Sequence, residues 1–145
     1  LDKYIGDAVM AVFGAPLSTG QDAHNAVRSA IRMQEMMPAI NVRRAGRGAS
    51  ELRLGVGIAT GDVVAGTIGS PKRMDYTVIG DSVNLAARLQ DITKTYQVGI
   101  IVCEHTAKEV AGEVTLREIG TIQVKGRARK ERIFEVVIPD ANPGD

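Results

Sequence analysis

Two Gly-Asp pairs, each lying between apolar segments of strand length, constrain the fold of this chain more than any other feature. The pairs are Gly6-Asp7 and Gly61-Asp62. Glycine adopts the positive φ angles that tight turns require and aspartate is also favoured there, so each pair predicts a turn between two strands. The flanking strands are predicted over residues 3–5, 8–13, 52–58 and 63–68, and the third of these alternates apolar residues with arginine and glycine.

Apolar residues at helical spacing predict the first helix over residues 23–37. Asp22 is the expected N-cap, because its side chain can accept a hydrogen bond from a free backbone N–H of the first turn. Pro38 should end or kink this helix, since proline lacks the N–H that the helix needs. Residues 43–48, which contain three arginines and two glycines, are expected to form a loop with solvated charges.

The second half of the chain mixes helices and strands in an irregular order. One helix is predicted over residues 83–92, capped by Asp81 or Ser82, and a short helix is predicted from the capping-box spacing of residues 106–109 up to Gly112. Together with the hairpins, this order predicts an α+β fold, a sandwich of helices on a mainly antiparallel sheet. The remaining strands are predicted over residues 76–79, 98–103, 114–124 and 133–138.

Composition excludes several classes of function. A net charge of +1 gives no electrostatic drive toward nucleic acid or a membrane surface, and three tyrosines with two phenylalanines are too few for a base-stacking platform. No apolar segment reaches the length of a membrane span. The single cysteine, Cys103, excludes an internal disulfide and indicates a reducing compartment, and its apolar neighbours predict a buried, inert thiol.

The common catalytic signatures are also absent. His24 and His105 are isolated and lack metal-ligand spacing, so both are expected near helix starts for structural reasons. The glycines of residues 55–61 have one residue too many between them for a dinucleotide-binding fingerprint. Neither a phosphate-binding loop nor a Gly-x-Ser-x-Gly elbow is present.

Polar residues on otherwise apolar segments remain as candidates for chemistry. Asp7 is either a simple turn former or a carboxylate that holds a hard cation at the hairpin tip. Asn84 and Arg88 are four residues apart and therefore share one helix face, while Leu85, Ala86 and Leu89 are available for the buried side. The pair is either ordinary solvent-facing surface or a phosphate site, because the planar guanidinium of arginine can form paired hydrogen bonds.

Four segments, taken in order, resemble the motifs of the class III nucleotide cyclase catalytic domain. Residues 3–14 resemble the hairpin that carries the second metal aspartate, and residues 57–66 resemble the central strand pair of that family. Residues 76–88 resemble the strand and helix that bind the nucleotide, and residues 124–126 resemble the segment with a late phosphate-binding lysine. The resemblance covers nearly the whole chain and implies a ferredoxin-like cyclase core.

The resemblance also implies roles for individual residues. Asp7 matches one of two aspartates that hold two Mg²⁺ or Mn²⁺ ions per site. Lys3 and Thr77 match the positions that read the purine edge, and this combination goes with adenine, whereas glutamate with cysteine goes with guanine. Adenylate cyclase is therefore the implied activity, with ATP as substrate and 3',5'-cyclic AMP and pyrophosphate as products.

The phosphate and ribose contacts follow in the same way. Asn84 matches the residue that orients the ribose, Arg88 the residue that stabilises charge on the reacting phosphate, and Lys125 the residue that binds the terminal phosphates. In the family the site is shared across a homodimer, in which one subunit supplies the metal aspartates and the other the nucleotide-binding residues.

One departure from the family pattern concerns the start of the chain. The family's first metal aspartate, its first strand and the following helices belong upstream of Lys3, so residues 1–138 are expected to be a partial catalytic domain, followed by a C-terminal tail at residues 139–145. The activity is accordingly expected of the parent domain and not of this piece alone. The parent protein is expected to be cytoplasmic or anchored to a membrane through other regions, which would also carry its regulatory domains, with no direct membrane contact by this segment.

Three alternatives remain open at this point. The first is a non-catalytic cyclase-like module that only dimerises or binds nucleotide. The second is a guanylate cyclase, which Lys3 and Thr77 disfavour. The third is a general α+β interaction domain in which the basic residues 125–132 contact an acidic partner.

Overall fold

The computed structural model of the chain describes residues 3–5, 7–15, 17–70, 73–124 and 130–139. Within them, three helices and eight strands follow one another in the mixed order expected of an α+β fold. The elements are β1 (Lys3–Ile5), β2 (Ala8–Met10), α1 (Asp22–Gly46), β3 (Val56–Ile58), β4 (Val64–Ser70), β5 (Arg73–Ile79), α2 (Asp81–Tyr96), β6 (Ile100–Cys103), α3 (Glu104–Val110), β7 (Thr115–Gln123) and β8 (Lys130–Val137).

The main sheet has four strands in the order β3-β6-β8-β7. Strands β3 and β6 are parallel, with Val56 opposite Ile100, whereas the β6–β8 and β7–β8 pairs are antiparallel. The strand pairs β1–β2 and β4–β5 form two separate antiparallel ladders. The prediction of a mainly antiparallel sheet carrying helices is therefore confirmed. The hairpin expected at Gly61-Asp62 is wrong, because β3 pairs with β6 and β4 pairs with β5.

Strand β6 is the centre of the core, because all four of its residues are buried. Ile100 and Val102 belong to the apolar cluster that also contains buried residues of α1 and α3. Ile101 and Cys103 belong to a second cluster with the buried residues of α2. Successive side chains of a strand point to opposite faces, so α1 and α3 cover one face of the sheet and α2 covers the other.

The first helix is longer than the sequence predicts. It continues through Pro38 to Gly46, so the expected stop at Pro38 is wrong, and the loop expected at residues 43–48 is wrong for residues 43–46. The Asn41 side chain forms two hydrogen bonds with the backbone of Leu52, of 2.8 and 3.0 Å, and Arg44 Nε donates to the carbonyl of Ser50 at 2.8 Å. These contacts anchor the last helical turns and offset the hydrogen bond that proline cannot make.

The same contacts shorten the predicted strand over residues 52–58. Because Asn41 takes the backbone groups of Leu52 and Gln34 Nε2 donates to the carbonyl of Leu54 at 2.8 Å, these groups are not in a sheet ladder. Strand β3 therefore begins only at Val56. Strand β2 is also shorter than predicted, because it ends at Met10 and not at residue 13.

Helix starts also differ from the predictions. Asp22 is the first residue of α1 and not its N-cap; its carboxylate accepts from the Ser18 hydroxyl at 2.5 Å and from the Thr19 N–H at 3.3 Å. These hydrogen bonds, that of Ser18 first, hold the pKa of Asp22 below its ordinary value. Helix α2 starts at Asp81 after Gly80, with no side-chain cap, and it runs to Tyr96 and not to residue 92.

The short helix α3 starts earlier than the capping box predicted. Its N-cap is Cys103, whose sulfur accepts from the Thr106 N–H at 3.5 Å, so Thr106 lies inside the helix and is buried. The thiol is buried as expected. The other strands match their predictions with shifted ends: β4 and β5 extend toward each other, β6 and β7 are shorter, and β8 starts at Lys130.

Candidate active site

Helix α2 presents the Asn84 and Arg88 side chains on one face, and both are exposed. The neighbouring face of the helix is buried in the core, where Leu85 is 2% and Leu89 0% exposed. The predicted division of this helix into a polar and a buried face is therefore confirmed for the two leucines, while Ala86, also expected on the buried side, is only half-buried. The buried leucines fix the rotation of the helix, so Asn84 and Arg88 are held one turn apart on its outer surface.

Neither of these side chains is engaged by another residue in the described part of the chain. Among the residues that the structure describes, Asn84 and Arg88 have no side-chain hydrogen bond and no ion pair. An arginine without an intramolecular partner keeps all five N–H donors available, which suits a phosphate. The arrangement can therefore bind a ligand without first breaking a contact.

Strand β5 leads directly into α2. Thr77 lies in β5, with its backbone opposite Gly66 of β4, and Gly80 joins the strand to the helix. The predicted purine-reading residue and the two predicted phosphate and ribose residues thus belong to one continuous strand–helix unit.

The β1–β2 hairpin carries the other predicted site residues. Lys3 opens β1, with its backbone opposite Met10, and Asp7 lies exposed in the turn. Among the described residues, no hydrogen bond or ion pair joins Asp7 to Asn84 or Arg88. Lys125 lies outside the described residues, immediately after the buried Val124.

The histidines have the structural roles that the sequence predicts. His24 lies in the first turn of α1 with its Nε2 3.0 Å from a carboxylate oxygen of Glu113, and His105 lies one turn from Glu109 in α3. Within the described part of the chain, no three His, Cys, Asp or Glu side chains lie together in a way that could hold a metal ion. None of the described helices is long and apolar enough to span a membrane.

Sequence reasoning missed the function of the glycines in residues 55–61. The structure places Gly57 against the backbone of α2, so close that a Cβ would overlap with Ala86 and Gln90. The signal in the sequence was glycine at alternate positions of a strand, which marks a close approach of another backbone. A strand that lacks side chains on one face allows the helix to pack directly on it.

Comparison with known proteins agrees with this architecture. The sequence model of the adenylate and guanylate cyclase catalytic domain matches residues 3–137. The crystal structure of the adenylyl cyclase CyaB from P. aeruginosa is similar with a TM-score of 0.84 and 35% identity, covering 94% of this chain and 70% of that chain. A crystal structure of a guanylyl cyclase gives a TM-score of 0.83 and 36% identity, covering 93% of this chain and 68% of that chain.

A relative with a much longer chain gives the same result. Adenylate cyclase 1 of Rhizobium meliloti is 34% identical over 135 residues, which are 93% of this chain and 20% of that protein. The present chain thus spans about a fifth of the length of this relative. With the match over residues 3–137, the chain belongs to the adenylate and guanylate cyclase catalytic domain family.

Proposed function

We propose that residues 1–138 form the greater part of an adenylate cyclase catalytic domain, with residues 139–145 as its tail. The observation that carries the proposal is the pair Asn84 and Arg88, exposed and unpartnered on the helix that follows β5 within the described structure. Family membership supports it independently. The reaction is the conversion of ATP to 3',5'-cyclic AMP and pyrophosphate.

The chemistry requires positioning and charge stabilisation and no covalent intermediate. The ribose 3'-oxygen attacks the α-phosphorus in line, a P–O bond forms, the bond to the β-phosphate oxygen breaks, and the hydroxyl proton passes to solvent. Asn84 orients the ribose, and the Arg88 guanidinium donates hydrogen bonds to the α-phosphate as its negative charge is redistributed. Such a preorganised donor contributes about 3–4 kcal/mol to the stabilisation of a transition state. Lys125 holds the terminal phosphates.

Asp7 is the residue that would contact a metal ion. Its carboxylate is exposed at the tip of the β1–β2 hairpin, and carboxylate oxygens are suitable ligands for Mg²⁺ or Mn²⁺. One carboxylate makes only part of a site, and the described residues contain no cluster of three such side chains. We propose that Asp7 contributes one ligand to a site for two ions, whose other carboxylate comes from the parent domain. When bound, the metal supplies Lewis-acid activation of the 3'-hydroxyl and neutralises charge on pyrophosphate.

Preference for adenine rests on Lys3 and Thr77. The chain is equally similar to an adenylyl and a guanylyl cyclase structure, at 35% and 36% identity, so overall similarity does not distinguish the two purines. A side-chain pair that is matched to the hydrogen-bonding edge of one purine leaves polar groups unpaired with the other, and this mismatch discriminates strongly.

Assembly as a homodimer completes the proposal. Asp7 and Arg88 of one chain would serve different sites, which is compatible with their lack of a hydrogen bond or ion pair among the described residues. The proposed location is the cytoplasm, where ATP is available and a lone cysteine stays reduced. The remainder of the parent protein would supply regulation.

The proposal is tested by measuring cyclic nucleotide production from ATP and from GTP. The 145-residue chain is expected to give no product above background, and the same chain with its native upstream sequence is expected to convert ATP in preference to GTP. Replacing Lys3→Glu together with Thr77→Cys should reduce that preference. Turnover by the short chain alone would contradict the partial-domain assignment, and equal use of both nucleotides by the unaltered extended domain would contradict the adenine assignment.

A further inference from the structure

Helix α2 lies on strand β3 at a distance that only glycine permits. Gly57 is the middle residue of β3, and a Cβ at this position would overlap with the Ala86 carbonyl oxygen and the Gln90 N–H nitrogen of α2. It would also lie 2.9 Å from the Leu89 carbonyl carbon, whereas carbon atoms in contact are about 3.5–4.0 Å apart. All three obstacles are backbone atoms, so no change of side-chain rotamer relieves the overlap.

A second close contact fixes the first turn of the same helix. Gly61 follows β3, and a Cβ there would overlap with the hydroxyl oxygen of Ser82, with the Ser82 Cβ at 3.3 Å. In this case the obstacle is a side-chain hydroxyl, which can be removed by substitution. A Cβ at Gly57 would therefore overlap with backbone atoms that no substitution removes, whereas the overlap at Gly61 can be removed by replacing Ser82.

The helix that these glycines hold is the one that carries Asn84 and Arg88. A helix moves as a rigid body, so a shift of its backbone away from β3 displaces both side chains together. We propose that Gly57 is a positioning residue of the cyclase reaction, assisted by Gly61, because it sets the separation of α2 from the sheet and thereby the location of Arg88 at the nucleotide phosphates. This inference rests on the proposed function.

The proposal predicts a specific kinetic change in the upstream-extended domain. A Gly57→Ala substitution should lower kcat on the order of 10²-fold, which is the effect of misplacing a catalytic group by about 1 Å. KM should change much less, because Lys3, Thr77 and Lys125 do not lie on α2. Gly61→Ala should lower kcat less, and the double variant Gly61→Ala/Ser82→Ala should recover it.

Gly46→Ala is the matched control. Gly46 ends α1, and a Cβ there would meet nothing within 4 Å, so the same chemical change should leave kcat and KM unaltered. Thermal unfolding of every variant accompanies the kinetics. A residue needed only for stability would lower the melting temperature without lowering kcat in the folded fraction.

A second measurement separates this inference from the proposed function. In the 145-residue chain, the NMR signals of the Arg88 amide and side-chain N–H should shift in Gly57→Ala and Gly61→Ala, return in the Gly61→Ala/Ser82→Ala variant, and stay unchanged in Gly46→Ala. If the extended domain has no cyclase activity, the proposed function is wrong. The NMR shifts of Arg88 still test whether Gly57 determines the position of α2.

The outcomes that overturn the inference are equally defined. Unchanged Arg88 signals in a folded Gly57→Ala chain, or an unchanged kcat in the extended domain, would show that β3 does not determine the position of the helix. If Gly57→Ala does not fold, the single variant Gly61→Ala is compared with the double variant Gly61→Ala/Ser82→Ala. The proposal is refuted if the double variant fails to restore the Arg88 signals and kcat.

Discussion

Helix α2 and the β7–β8 hairpin both expose arginines, but they use them differently. On the hairpin, Arg117 donates two hydrogen bonds to Glu135, of 2.9 and 2.6 Å, and Arg132 donates two to Glu118, of 3.1 and 2.6 Å. On α2, Arg88 has no hydrogen bond or ion pair among the described residues.

The difference follows from the geometry of the two surfaces. In the hairpin, Arg117 and Glu135 are directly opposite each other across two strands, so their side chains meet. Arg132 also lies over the Phe134 ring, 5.3 Å from its centroid, which adds a cation–π contact. Arg88 instead lies exposed on a helix, and no acidic side chain pairs with it among the residues that the structure describes. The paired arginines serve the fold, while the unpaired arginine is available to a ligand.

The largest expected effect is a difference in cyclase activity between variants of Arg88 and Arg117. In the upstream-extended domain, Arg88→Ala should lower kcat by about 10²–10³-fold, because it removes a donor that acts on charge in the transition state. The matched variant Arg117→Ala should keep its activity, since its partner is Glu135 and not the nucleotide. Cyclic AMP production by the two variants checks this, and equal losses would abolish the distinction.

A subunit-mixing experiment sharpens the assignment of Arg88. If Asp7 and Arg88 of one chain serve different sites of a homodimer, the Asp7→Ala and Arg88→Ala domains are each inactive, but a mixed dimer has one intact site. Random pairing of equal amounts should restore about a quarter of wild-type activity. The control is a label that confirms subunit exchange, and a mixture that exchanges yet stays inactive would rule out the shared site.

For the free energy of unfolding, we expect the opposite order, with the larger loss in the Arg117 variant. Arg117→Ala should lower the free energy of unfolding by about 1 kcal/mol or less, the usual range for an exposed ion pair. Arg88→Ala should have no destabilising effect, because no hydrogen bond or ion pair among the described residues is lost. Denaturant unfolding of the 145-residue chain measures both, and a greater loss in Arg88→Ala would mean that Arg88 has a structural role.

The smallest expected effect is a pH dependence on the hairpin. The hydrogen bonds of Arg132 hold the pKa of Glu118 below its ordinary value of 4.5. The stabilisation by this pair is therefore complete above pH 4.5 and is lost as the pH falls through the lowered pKa.

Comparison with a variant isolates this effect. The melting temperature of the wild type should exceed that of Glu118→Gln near neutral pH, and the difference should shrink on acidification below pH 4.5. Glu35→Gln is the control, because Glu35 is exposed and has no described partner. A difference that stays constant with pH would exclude Glu118 as its source.

The structure confirms several predictions that rest on local sequence patterns. The turn with Asp7 between β1 and β2 and the burial of Leu85 and Leu89 depend on neighbours in the chain, and all were predicted. The exposed face with Asn84 and Arg88 follows from the same helical periodicity. The catalytic roles of Lys3, Thr77 and Lys125 remain predictions from the family resemblance.

What the sequence by itself determined is thus the α+β class, the β1–β2 hairpin and the polar face of α2. The hairpin and the polar face each depend on residues within one or two turns. The tertiary structure alone decided the course of α1 beyond Pro38, the start of β3 at Val56 and the close packing of α2 on Gly57. Those features depend on contacts between distant residues, such as Gln34 with the Gly99 carbonyl at 3.0 Å. Local propensity cannot specify such contacts, because the energies of helix continuation and strand pairing are small beside those of tertiary hydrogen bonding and burial.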